Sequence, residues 1–213
     1  MKKIVAFALI LNTFFLSHTI ASADAPIALA DSPLTSTEFY EAYMDVKMVQ
    51  RTHLQNVLGL EIAEFLSSPE NPIDEKAAVI NALSWKFEGN NNAEFYMYYL
   101  ALLYHVPFVQ LDTDFLSADE IFCLGYLMAM DNFSHPENAL PILEEAYKTL
   151  NNSFTVSMIF AIVKSQLFLN MDLCEVWKSV EQVLVNEDLK QDLRPEAKKK
   201  IIAYMAGYKE YCQ

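Results

Sequence analysis

Glycine is scarce in this 213-residue sequence, which contains only four. Isolated glycines cannot form the loop that cradles phosphates in nucleotide-binding proteins, and collagen repeats and flexible linkers need far more of them. The sequence also has no Asn-Gly or Asp-Gly hairpin turn and no convincing run of alternating apolar and polar residues. These absences exclude Walker and Rossmann motifs and predict few β-strands.

Basic residues are also few, since the sequence has 15 lysines and arginines against 28 aspartates and glutamates. A formal charge of −13 is the wrong sign for contacts to phosphate, so nucleic acid is not an expected partner. The hydrophobic fraction of 53% is typical of a folded chain and excludes a disordered one.

The first 23 residues have the pattern of a secretory signal peptide. Lys2 and Lys3 precede an apolar segment, and Ala21-Ser22-Ala23 offers the small residues that signal peptidase requires. We expect cleavage after Ala23 and a periplasmic or secreted protein of net charge −15. An uncleaved membrane anchor is the alternative, although the apolar run is short of the ~20 residues that span a bilayer.

No cysteine follows the apolar segment, so a lipoprotein anchor is not expected, and no later apolar run reaches membrane length. Stable membrane insertion after cleavage is therefore not predicted. The predicted organisation is a signal peptide over 1–23, an extended segment over 24–34 and a single all-helical domain over 35–213.

Three widely spaced cysteines, Cys123, Cys174 and Cys212, form neither a disulfide framework nor a zinc site. Two interpretations stay open. Cys123 and Cys174 are small buried apolar residues in the first, whereas Cys212 closes a disulfide in the second.

Start and stop signals divide the rest of the chain into helices. Thr35-Ser36-Thr37-Glu38 is a capping box, and Asn71-Pro72 is a start signal because proline suits the first helical turn. The predicted helices cover 39–67 with a bend or break at Gly59, 73–89, 93–105, about fourteen residues after each of the capping boxes at 117–120 and 134–137, 154–169, 172–186 and 195–211. The segment 93–105 is apolar nearly all round, so we expect it to be a central helix packed on more than one side.

One predicted helical pair carries a family pattern. Leu124-Gly125 on the first helix is followed by Ala139, Leu143 and Ala146 on the second. Over about 35 residues this resembles the tetratricopeptide repeat and its Sel1-like relatives, in which glycine lets the second helix approach the first. The resemblance implies an all-α fold of antiparallel helical hairpins stacked as a short, degenerate α-solenoid that binds proteins or peptides and does no chemistry. An irregular helical bundle is the alternative architecture.

The helix that follows Ser117 supplies the predicted binding site. Asp119, Phe122, Tyr126 and Met130 share one side at helical spacing, opposite the side that the resemblance assigns to helix packing. In a repeat stack this side lines the inner groove, where aromatic residues anchor a peptide. The alternative is that the same side is buried against helix 93–105.

Catalytic and metal-binding patterns are not found. No GxSxG or HExxH motif occurs, and Glu144-Glu145 and Asp112/Asp114 are acidic pairs of the kind that chance produces in so acidic a chain. We expect no enzyme, no cofactor and no metal site. The basic group Arg194, Lys198-Lys199-Lys200 and Lys209 is interpreted as the solvated face of the last helix, and binding to an anionic surface is the alternative.

Two functions remain open. The first is an exported helical-repeat adaptor that holds a partner protein or peptide. The second is an acidic inhibitor or immunity-type protein that plugs a basic toxin or cell-wall enzyme, because its charge suits fast association with a basic target.

Overall fold

The fold is all-α, as the sequence predicts. The structure is a computed structural model that describes residues 32–83 and 91–212. Within these residues the α-helices are α1 (Pro33–Ser36), α2 (Lys47–Gln55), α3 (Leu60–Ser67), α4 (Ile73–Asn81), α5 (Asn92–Leu103), α6 (Ala118–Asp131), α7 (Leu140–Thr149), α8 (Phe154–Gln166), α9 (Leu173–Leu184) and α10 (Pro195–Met205). None of the helices in these two ranges has the length and hydropathy that crossing a bilayer requires.

The N-terminal part of the domain differs from the prediction of one long helix. Residues Phe39–Tyr43 form a 3-10 turn, and α2 ends at Gln55, capped by Asn56, whose φ of 52° is left-handed. Gly59 then precedes α3, so the predicted break near this glycine is confirmed. The extended segment predicted over 24–34 is wrong at its end, because Leu34 lies in α1 and is buried in the core.

The sequence predicts two further helix starts, at the capping boxes of Ser117 and Ser134. The Ser117 capping box is confirmed, since its side chain accepts the amide of Glu120 and its own amide donates to the Glu120 carboxylate. The helix predicted directly after the box at Ser134 begins later than expected, because a short turn over 136–138 precedes α7. Proline at position 141 then fits the first turn of α7. The predicted helix end at Gly89 lies outside the described residues, and α4 ends earlier, at Asn81.

Helices α6 and α7 approach most closely at Gly125. A Cβ atom on this glycine would lie 2.8 Å from Cγ and 3.0 Å from the backbone nitrogen of Leu143. No side chain fits at that separation, so glycine is required for the contact. The close packing that the Leu-Gly pattern predicts is therefore present, although it identifies no repeat family.

Helix α6, rather than α5, is the central helix. Eleven of the 14 residues of α6 are buried, and α3, α4, α5 and α7 all contact it. The prediction that α5 is central is wrong, because one side of α5 packs inward through Tyr96 and Leu100 and the other side is exposed.

The two ends of the described chain meet. Ser32 donates its hydroxyl to Gln166 Oε1 at 2.7 Å, Arg194 donates its backbone amide to the Tyr43 hydroxyl at 3.0 Å, and Lys200 pairs with Glu41. Units of a solenoid contact only their neighbours along the stack. The solenoid therefore stays a prediction, and these contacts favour the irregular bundle.

The cysteines take the second of the two predicted arrangements. Cys174 and Cys212 form a disulfide with a Cα–Cα distance of 4.8 Å, so the interpretation of Cys174 as a free apolar residue is wrong. Cys123 is a free thiol in the core, as predicted. Burial raises the pKa of the Cys123 thiol, which keeps it protonated.

Gly125→Ala should destabilise the protein by about 1–3 kcal/mol, the usual effect of overpacking. The added methyl group meets Leu143, and the backbone nitrogen of that residue cannot move aside as a flexible side chain does. Gly207→Ala is the matched control, because no atom lies within 4 Å of its added Cβ, and it should change stability by less than about 0.5 kcal/mol. Equal urea midpoints for the two variants would contradict the close α6–α7 contact.

The Cys174–Cys212 disulfide closes a separation of 38 residues, and its loss should lower the free energy of unfolding by roughly 2–4 kcal/mol. Urea unfolding of the Cys174→Ser/Cys212→Ser variant with and without dithiothreitol measures this loss. The reductant should weaken the wild type and leave the double variant unchanged. Thiol titration of the unfolded wild type should give one thiol without reductant, and a result of three would contradict the bond.

Candidate functional site

The predicted binding face on α6 is buried and does not form an open groove. Phe122, Tyr126 and Met130 are between 0 and 3% exposed, and Asp119 alone of the four reaches solvent. The prediction of an accessible binding face is therefore wrong. The face is buried, as the alternative states. Both α4 and α5 contact α6, and the polar groups of the face bind α4.

Asp119 and Tyr126 contact α4 through polar groups. Lys76 is fully buried and donates from Nζ to Asp119 Oδ2 at 2.7 Å. One turn along α4, Asn81 donates its amide to the Tyr126 hydroxyl at 3.3 Å and accepts the backbone amide of Tyr40 at 3.0 Å. A buried cation or amide without a partner is strongly destabilising, so these contacts hold α4 in one register on α6.

The other polar groups of α6 fix α5. Glu120 accepts the Tyr104 hydroxyl at 2.7 Å beyond the C-terminal end of α5. At the N-terminal end, Asp131 accepts the Ala93 amide at 2.7 Å and the Asn92 side-chain amide at 3.0 Å. Loss of solvation raises the pKa of Asp131 to about 6, and the hydrogen bonds from Ala93 and Asn92 oppose that rise only in part.

With α5 held by these contacts, one apolar side of the helix is exposed. Phe95, Tyr98, Leu102 and Leu103 are all exposed, and Leu102 is 76% accessible. Phe95, Tyr98 and Leu102 are spaced three and four residues apart, so their side chains form one stripe along the helix. The stripe is about 10 Å long at the helical rise of 1.5 Å per residue.

The segment after α5 continues this stripe. Phe108 stacks on Tyr98 with ring centroids 4.0 Å apart and an angle of 20° between the planes. Val109, next in the chain, is 87% exposed. We call the six residues the α5 apolar surface: Phe95, Tyr98, Leu102, Leu103, Phe108 and Val109.

A concave feature lies among α7, α8 and α9. Two cavities of about 400 and 390 Å³ are both bordered by Tyr147, Phe160 and Lys164. The Tyr147 and Phe160 rings stack at 5.1 Å, and Gln182 borders the larger cavity. We call this feature the α7–α9 groove. Its aromatic ridge and long side chains suit contact with a peptide.

Most of the basic group near the C-terminus makes contacts within the protein. Lys198 and Lys209 lie over the rings of Phe154 and Trp177, at 4.2 and 5.3 Å from the centroids. Arg194 contacts Asp45 at 2.5 Å. These contacts stabilise the fold, whereas Lys199 and Lys200 are exposed on α10.

Sequence reasoning missed the α5 apolar surface. An apolar helix is normally read as buried, and the periodicity of α5 gives no exposed side to single out. The sequence signal that marks this part of the chain is its charge, because no lysine or arginine occurs between Lys86 and Lys148. Among the described residues, no group of three or more His, Cys, Asp or Glu side chains is arranged to hold a metal ion.

Comparison with known proteins gives no relative. No family model, no curated protein and no solved structure matches this chain.

Asp131→Asn should flatten the pH dependence of stability. The folded protein holds the Asp131 proton more tightly than the unfolded chain, whose pKa is near 3.8, so ionisation of this carboxyl destabilises the fold. The penalty is absent below about pH 4 and is complete only once the pH is about one unit above the folded pKa of about 6. Between pH 5 and 7.5 the free energy of unfolding of the wild type should fall by about 1.5 kcal/mol, whereas that of the variant should not show this fall.

Urea unfolding at the two pH values measures the difference. Asp112→Asn, which removes an exposed carboxyl, is the control for charge. Parallel pH profiles for wild type and Asp131→Asn would contradict the assignment.

Proposed function

We propose that this is an exported, non-catalytic protein that binds a partner protein. The observation that carries the proposal is the α5 apolar surface, because contiguous apolar patches on folded proteins are most often interaction sites. Leu102 and Val109 are 76 and 87% exposed, and their burial in a complex would remove apolar area from water. The aromatic residues Phe95, Tyr98 and Phe108 are of the type that dominates binding energy.

Export is supported by two independent features. The sequence over 1–23 has the pattern of a secretory signal, and Cys174 and Cys212 are disulfide-bonded in the structure. Structural disulfides persist in oxidising compartments and are rare where thiols are kept reduced. A periplasmic or secreted location follows from the proposal.

The adaptor function is supported by a second surface. An adaptor has to contact two proteins, and the α7–α9 groove lies on different helices from the α5 apolar surface. The expected ligand of the groove is a peptide segment that rests across the Tyr147–Phe160 ridge. The expected ligand of the α5 apolar surface is a folded partner.

The second candidate function is an acidic inhibitor of a basic toxin or cell-wall enzyme. The observation that favours it is that the sequence between Lys86 and Lys148, which includes α5, contains no lysine or arginine. An inhibitor needs only this one surface, so the two functions differ in how many surfaces are occupied.

Site-specific photocrosslinking in the native host tests the proposal. A photoreactive phenylalanine derivative replaces Tyr98 on α5, Gln182 in the groove or Lys199 on α10, the last as an exposed control. Partner binding at α5 should give an adduct of defined mass at position 98 and none at 199. Adducts with different proteins at 98 and 182 indicate an adaptor, and an adduct at 98 alone indicates an inhibitor.

Three results would contradict the proposal. They are no adduct at position 98, equal adducts at 98 and 199, and an adduct that joins position 98 to another part of the same chain.

A further inference from the structure

The charged residues next to the α5 apolar surface along the chain are acidic. Between Lys86 and Lys148 the sequence contains ten aspartates and glutamates and no lysine or arginine. Glu94 lies one turn before Tyr98 on the same side of the helix, and Asp112 and Asp114 are exposed in the segment after Val109. Acidic side chains therefore flank the α5 apolar surface in the sequence, with Glu94 before it and Asp112 and Asp114 after it.

Among the described residues, two cations on elements near α5 are already paired with carboxylates. Lys76 is fully buried on Asp119, and Arg51 pairs with Glu61 of α3. Glu64, which also lies on α3, is exposed. Burial is the largest cause of the raised pKa of the Tyr99 hydroxyl, and the negative charge of Glu64 is the second. Exposed acidic side chains therefore occur on α3, on α5 and in the segment after α5.

The geometry of the stripe fits a helix. Phe95, Tyr98 and Leu102 form a ridge at three- and four-residue spacing, and ridges of this kind pack against the grooves of another helix. In the described residues there is no strand, so an extended segment would find no sheet edge to join. An amphipathic helix with apolar residues at the same spacing would cover the ridge and the Tyr98–Phe108 stack.

Charge decides among the occupants. A second copy of this chain would bring the same acidic surface against itself, and an anionic membrane would repel it, because like charges disfavour association. A helix with lysine or arginine beside its apolar side would instead place cations opposite Glu94, Asp112 and Asp114. Such pairs at the rim speed encounter and set orientation, while the apolar contacts supply affinity.

We infer that the α5 apolar surface binds a basic amphipathic helix of another protein. The inference rests on the proposed partner-binding function and adds the chemical class of the segment that is bound. The stripe of Phe95, Tyr98 and Leu102 contacts the apolar side of that helix, and the acidic rim contacts its basic flanks.

Fluorescence anisotropy with synthetic peptides tests the inference on the purified protein. The probe is a labelled 14-residue peptide of leucine and lysine arranged as an amphipathic helix. A peptide of the same composition in scrambled order and a leucine–glutamate version of the first peptide are the comparisons. Only the ordered leucine–lysine peptide should bind strongly, and its Kd should rise roughly tenfold between 50 and 300 mM NaCl as salt screens the rim.

Leu102→Ser and Leu54→Ser form a matched pair of variants. The two leucines are 76 and 80% exposed, both lie outside the core, and the substitution changes no charge. Leu102→Ser should weaken binding of the ordered peptide at least tenfold, the scale of a lost apolar contact at an interface, and Leu54→Ser should change it less than twofold.

Several outcomes would overturn the inference. Equal affinity of the ordered and scrambled peptides would show charge attraction without helix recognition. An equal effect of the two leucine variants would place the contact elsewhere. Sedimentation that shows a dimer lost in Leu102→Ser would assign the surface to a second copy. If no peptide binds but position 98 still crosslinks to a partner in the host, the helix inference fails and the proposed function stands.

Discussion

The burial of most of α6 is the constraint on which the rest of the structure depends. A helix surrounded by protein has to satisfy each of its charged groups internally, since an unpaired buried charge is strongly destabilising. Asp119 is paired with Lys76, Glu120 with Tyr104, and Asp131 with the first amides of α5. Each of these contacts fixes a neighbouring helix. The contacts of Glu120 and Asp131 hold the two ends of α5, and one side of α5 is left exposed as a result.

Local rules of the sequence predict the elements well where neighbours decide the conformation. The Ser117 capping box involves four consecutive residues, and the structure confirms it. Gly125 and Leu143 are in contact because a short connection returns the chain at once onto the same helix. The long helix predicted from Phe39 fails because Leu34, Phe39 and Tyr43 are buried by contacts with α8, α10 and α4, which lie far along the chain.

The candidate site could not be predicted by periodicity, because periodicity gives the apolar sides of a helix and not the number of elements available to cover them. Tyr126 and Tyr98 both belong to aromatic, apolar helices, yet the first is buried and the second is exposed. Which helix lies at the centre depends on long-range packing. The disulfide could not be predicted from the sequence either. Three cysteines allow several pairings, and only the fold places Cys174 beside Cys212.

The contacts between the ends of the described chain affect the order in which the protein folds. Ser32 binds Gln166 across 134 positions, and Tyr43 accepts the amide of Arg194 across 151. A chain that emerges from its N-terminus, whether from a ribosome or through a membrane channel, presents Ser32 and Tyr43 long before their partners. The core residues of α1 and of the turn at 39–43 therefore stay without their final neighbours until α8 and α10 have emerged. Contacts of such high sequence separation form late, so folding is completed after emergence rather than during it.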